Sequence, residues 1–156
     1  MKSSLTLEIA SIAARLIVEE GLEYGPAKQR ALRQIQGSSR VRPELPDNEL
    51  IEEEVRTYLQ IFCADTQPAE LLALRQQALV WMERLTEFSP HLTGAIWNGT
   101  ATRLNDIWIN LFCDDSKAVE IFMINQKIEY EAGVTKGFTG KDVNVISLSE
   151  IGRAHV

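Results

Sequence analysis

The sequence is poor in the residues that make staples and simple reactive centres. Two cysteines, Cys63 and Cys113, and two histidines, His91 and His155, are spread over 156 residues, so neither a disulfide-dense scaffold nor a zinc ribbon can be built from them. No CxxC pair and no GxxxxGK loop occurs, which removes the common thiol-redox and phosphate-loop signatures. Apolar runs are short. Glu8 interrupts the N-terminal stretch before it reaches the length of a secretory core segment, and nothing approaches the roughly 20 apolar residues of a membrane span. The expected location is therefore the cytoplasm, with both cysteines as reduced core thiols.

What is present is the composition of an ordinary folded protein. With 45% hydrophobic and 24% charged residues, a chain of this length buries enough surface to need no staple. The net charge of −6 is uneven: residues 1–45 carry seven basic and five acidic side chains, 46–92 three and nine, and 93–156 six and eight. An acidic chain is a poor binder of phosphate backbones. Lys28, Arg30, Arg33, Arg40 and Arg42 form a basic exception. No aromatic residues interleave with them as stacking platforms, so they read as a solvated face and nucleic acid is not an expected partner.

The first half reads as helices. Leu5, Ile9, Ile12, Ala13, Leu16 and Ile17 recur at spacings of three and four, which predicts an amphipathic helix over 4–20. Pro26 suits the first turn of a second helix that Gly37 ends. A third starts near Asp47, with Glu49, Glu52, Glu53 and Glu54 in its first turns, where a helix dipole favours negative charge. A fourth, capped by Asp65 or Thr66, carries Leu71, Leu72, Leu74, Ala78, Leu79, Met82 and Leu85 and stops before Pro90. From there the period changes. LTGAIWNGTA and DIWINLFC read as strands, SKAVEIFMINQ as a helix, and KIEYEAGV and DVNVISLS as two further strands. Helices first and a mixed segment after them predict an α+β fold.

Strand alternation then sorts the chemistry. In DIWINLFC, Ile107, Ile109, Leu111 and Cys113 share the core side, leaving Asp106, Trp108, Asn110 and Phe112 on the other. In KIEYEAGV the same rule pairs Glu129 with Glu131. If these strands are neighbours, Asp106, Glu129 and Glu131 converge on one surface, and converging carboxylates bind hard cations such as magnesium. The smaller motifs have plainer readings. Asn98-Gly99-Thr100 is a loop rather than a glycosylation site, and Asp114-Asp115-Ser116 is a strand exit and helix cap. His91 is a strand-entry residue, and Trp81 and Trp97 fill a core or an interface.

The stretch GAIWNGTATRLNDIWIN resembles the signature of the DNA polymerase beta-like nucleotidyltransferase superfamily. In that signature a Gly-Ser turn and a second glycine precede an Asp-hydrophobic-Asp strand. Gly94 falls on the first glycine, Gly99 on the second, Asn105 on the polar residue before the strand and Asp106 on its first carboxylate. The helix before and the helix and strand after follow in the order of that fold, so the resemblance covers roughly residues 68 to 149. It implies a small nucleotidyltransferase-like mixed sheet with flanking helices. It also implies nucleotide contacts at Gly94, Ala95, Gly99 and Asn105, with Asp106 as catalytic carboxylate and magnesium ligand and Glu129 or Glu131 as third ligand.

Two departures bear on activity. Ala95 stands where the family has serine or glycine, and Trp108 where it has the second metal-binding carboxylate. An indole offers only an N–H donor and cannot coordinate magnesium, so the resemblance implies a catalytically degenerate nucleotidyltransferase-like protein that binds a nucleotide or a partner. The competing reading is a helical protein-interaction or dimerisation module. Ligase chemistry of the UDP-N-acetylmuramate–alanine type is disfavoured, because it needs an ATP phosphate loop and separate substrate domains.

The last residues, EIGRAHV, resemble the conceptual translation of a sequencing adapter. This implies that 150–156 are a non-native tail with few packed contacts and that His155 takes no part in chemistry. The expected organisation is a helical region over 1–66 and a nucleotidyltransferase-like region over 67–149, in one compact body, followed by that tail.

Overall fold

The computed structural model describes residues 4–37, 43–136, 141–148 and 154–155. The architecture is α+β. Where a single body was expected, the chain makes two compact units, Met1–Pro68 and Ala69–Val156.

The first unit is helical, with α1 (Ser4–Glu20), α2 (Tyr24–Gln36) and α3 (Asn48–Phe62). α1 packs against both of the others. Ile9, Ala13, Leu16 and Ile17 are buried as their spacing predicts, and Ala10, Ala14 and Val18 join them, so α1 is covered on more than one side. Its small residues share a buried cluster with Ala27 and Ala31 of α2 and with Ile51, Val55 and Leu59 of α3. Alanine at the closest approaches lets helix axes come near each other and brings little side-chain entropy cost. Asp47 caps α3, its Oδ1 accepting the Leu50 N–H at 2.8 Å, and Gly37 closes α2 at φ 50°. The Tyr58 hydroxyl donates to Glu19 and ties α3 to α1. Leu5, the first residue of the predicted stripe of α1, stays exposed, as does Phe62 at the end of α3.

The second unit begins in α4 (Gln67–Arg84) and a 3-10 turn at Thr86–Phe88. There follow β1 (His91–Thr93), α5 (Gly94–Asn98), β2 (Ile107–Asn110), α6 (Ser116–Asn125), β3 (Glu131–Lys136), β4 (Asp142–Leu148) and β5 (Ala154–His155). Two antiparallel pairs, β1 with β2 and β3 with β4, are bridged by β5, giving the order β1-β2-β5-β4-β3. Ile107 and Ile109 of β2 and Ile146 and Leu148 of β4 are buried against Trp81, Leu85, Phe88, Val119 and Met123. Asp115 caps α6, its Oδ1 accepting the Lys117 N–H at 3.0 Å.

Several expectations are corrected in this unit. LTGAIWNGTA is not one strand: β1 stops at Thr93, because Gly94 adopts φ 75°, and the next residues coil into α5. KIEYEAGV starts its strand only at Glu131, since Lys127 adopts φ 56° in a turn and 128–130 run without regular structure before β3. The core side of α4 runs through Ala78, Trp81 and Leu85, while Leu72 and Leu79 are exposed. The apolar residues of this helix lie on two sides, and only one is covered. Neither cysteine is buried in the core, Cys113 being exposed and Cys63 half-buried. Finally, the backbone of Ala154–His155 pairs with β2 on one side and β4 on the other, within a segment expected to stay unpacked. Such pairing uses main-chain groups that every residue except proline carries in full.

Candidate functional site

The residues of the glycine-containing signature lie along one short path. Thr93 ends β1 directly opposite Trp108 of β2, and its hydroxyl approaches the Trp108 carbonyl at 3.4 Å. Gly94 then turns the chain with a positive φ that a side chain disfavours. Ala95 sits in the first turn of α5, half-buried. Gly99 ends that helix in the left-handed conformation, φ 87°, and its N–H returns to the Ala95 carbonyl at 2.9 Å. The Thr100 N–H reaches the same carbonyl, also at 2.9 Å. Both signature glycines therefore occupy the left-handed backbone that selects glycine.

Asn105 serves the loop itself. Its Oδ1 accepts the Thr102 N–H at 2.8 Å and lies 3.4 Å from the Thr102 hydroxyl, while its own N–H donates to the Thr102 carbonyl at 2.9 Å. This small clamp closes the turn that delivers Asp106 to the start of β2. Asp106 is half-buried, with Oδ1 among the buried atoms.

Trp108 projects from the side of β2 opposite buried Ile107 and Ile109, as alternation predicts. A Cβ built on Gly94 would stand 3.9 Å from Trp108 Cδ1 and 4.0 Å from its Cβ. The Trp108 side chain thus borders the space that a side chain at Gly94 would enter.

The acidic residues are not brought together. β3 lies at the far edge of the sheet, three strand positions from β2, which places Glu131 roughly 14 Å away at ordinary strand spacing. Glu129 precedes β3, in the irregular stretch after the turn, and is exposed. The expected convergence of Asp106 with Glu129 and Glu131 required neighbouring strands, and β5 and β4 intervene. Among the described residues no group of three His, Cys, Asp or Glu side chains could hold a metal ion. Also among them, no helix is long and apolar enough to cross a membrane.

Sequence reasoning missed the part played by α4. Arg75 donates from Nε to the Ile96 carbonyl at 3.1 Å and from Nη2 to the Trp97 carbonyl at 3.3 Å. Glu70 accepts the Arg103 N–H at 2.9 Å. α4 thus holds this segment at α5 and again at Arg103. The heptad-like order Leu72, Arg75, Leu79, Met82 was the available signal, since it places Arg75 within an otherwise apolar stripe. Beside it is a groove of about 430 Å³ lined by Arg75, Ala78, Leu79, Met82, Leu92 and Trp97. Trp97 itself is 67% exposed, so it does not fill the core.

No family model, curated protein or solved structure matches the chain.

Proposed function

We propose that the Ala69–Val156 unit is a nucleotidyltransferase-like module that binds a nucleotide without transferring it. The observation that carries this reading is the Trp108 side chain against Gly94. A left-handed glycine between a short strand and a helix gives a bound group close access to main chain. The strand beside it offers one carboxylate, Asp106, and then an indole where a second would stand. An aromatic ring next to an open glycine turn suits a planar base or its ribose better than a hydrated cation. The residues present do not fit a two-metal centre, and no step runs through magnesium here. The proposal includes a cytoplasmic location, for which an exposed Cys113 thiol is the supporting feature.

The test is equilibrium binding of labelled ATP, GTP, CTP and UTP to the full chain, followed by a search for label on protein, nucleic acid or small-molecule acceptors. Saturable binding of one nucleotide with no label transferred is the expected result. Transfer at enzymatic turnover, or no binding of any of the four, overturns the reading.

A second reading, a protein-interaction module, is favoured by one observation. Leu72, Leu79 and Val80 of α4 and Trp97 of α5 expose half or more of their surface, and exposed apolar side chains grouped in one patch mark interaction surfaces. Size-exclusion elution that shifts with protein concentration supports self-association; elution independent of concentration removes that version.

A further inference from the structure

α5 is five residues long, too short to persist without outside support, because helix nucleation fixes several dihedrals for each early hydrogen bond. Its last carbonyls have no following turn to receive them. Two of these, on Ile96 and Trp97, accept from the same guanidinium. A guanidinium is planar and rigid, so two of its N–H donors fix the relative placement of the two acceptors as well as their distance from α4. The positive charge also suits a helix C-terminus. Upstream, Gly94 is the first residue of α5, and a side chain there would begin within 4.0 Å of Trp108.

We infer that Arg75 is a positioning residue for the proposed nucleotide site: from α4 it sets the pose of α5, and through α5 that of the Gly94 turn against Trp108. The inference rests on the nucleotide-binding reading for its functional consequence. Its structural half stands apart from it. Lysine in this place keeps the charge on a flexible ammonium without the rigid planar fork that fixes the two carbonyls relative to each other, so it restores part of the effect. Methionine keeps the apolar stem along the groove and removes both donors.

The experiment compares the full-length chain with Arg75→Met, Arg75→Lys and a control, Arg84→Met. Arg84 lies on the same helix with its guanidinium carbon 4.5 Å from the Trp81 ring centroid, away from the signature segment. Two readouts are taken: ATP affinity, and the amide signal of Gly94 with the three indole N–H signals in a ¹⁵N-correlated spectrum. Arg75→Met is expected to shift the Gly94 amide and the Trp108 indole and to weaken ATP binding about tenfold, the scale for losing charge-assisted hydrogen bonds. Arg75→Lys should fall between. Arg84→Met should move the Trp81 indole and leave the Gly94 amide and the affinity unchanged.

Unshifted Gly94 and Trp108 signals in Arg75→Met overturn the inference, as does wild-type ATP affinity in that variant. If Arg75→Met fails to fold, Arg75→Lys carries the same comparison with the same criteria. If the wild-type chain binds another of the four nucleotides and not ATP, that nucleotide replaces ATP in the comparison; absence of binding of all four defeats the nucleotide reading alone, and the Gly94 and Trp108 signals then decide whether Arg75 positions the turn.

Discussion

Replacing Gly94 by alanine separates two ways in which the turn could be constrained. The φ of 75° places an L-residue in the left-handed region, at a cost of about 1–2 kcal/mol. Alanine also restricts the unfolded chain, which returns about 0.4–1 kcal/mol. Space is not limiting, because the new methyl would meet Trp108 atoms at 3.9 and 4.0 Å, ordinary contact distances. The net expectation is a loss of about 1 kcal/mol. For the Ala69–Val156 unit this corresponds to about 4–8 °C in Tm if the unit melts as one cooperative body of that size. Gly133→Ala is the control: nothing lies within 4 Å of its Cβ and its φ is not positive, so it should be neutral or mildly stabilising. Urea and thermal melts followed by tryptophan fluorescence measure both. A Gly94→Ala variant as stable as wild type would refute the left-handed turn. A loss above about 3 kcal/mol exceeds the left-handed cost alone and would contradict the ordinary contact with Trp108.

Trp108→Asp recreates the carboxylate-hydrophobic-carboxylate order beginning at Asp106 and should raise magnesium affinity in a calorimetric titration, and Asp106→Asn added to it should remove the gain; no change in either variant means that this face of β2 does not line a cation site. Asp47→Ala deletes the cap on the Leu50 N–H and should destabilise the Met1–Pro68 unit by about 1 kcal/mol, read as a lower urea midpoint for the helical signal. The hydrogen bond to Glu19 holds the Tyr58 hydroxyl up at about 12. Because the folded value lies above the unfolded one, this stabilisation is present below pH 10 and is lost between about pH 10 and 12. Tyr58→Phe should therefore flatten the fall in stability over that interval, and an unchanged slope would contradict the bond.

The legible parts of the sequence were those whose signal is local. Asp47 ahead of an acidic first turn and Gly37 after a periodic run each act on the backbone groups next to them, and the structure bears both out. Alternation in Asp106–Asn110 likewise placed Trp108 opposite Ile107 and Ile109. LTGAIWNGTA misled because apolar and β-branched residues outweighed two glycines whose left-handed conformations cut the segment into a short strand and a short helix. The convergence of Glu129 and Glu131 with Asp106 was a statement about strand order, which depends on partners distant in sequence and has no local mark. Arg75 was hidden for a related reason: its acceptors are main-chain carbonyls 21 and 22 residues away, and a carbonyl carries no sequence signature.

The proposal that Trp108 stands where a second metal-binding carboxylate would be requires that nucleotide binding not depend on metal. It is tested most directly by measuring the affinity of the full chain for its tightest-binding nucleotide twice, once in saturating magnesium and once in excess chelator. The account predicts the same dissociation constant in both. Binding that collapses in chelator and returns with magnesium would contradict it.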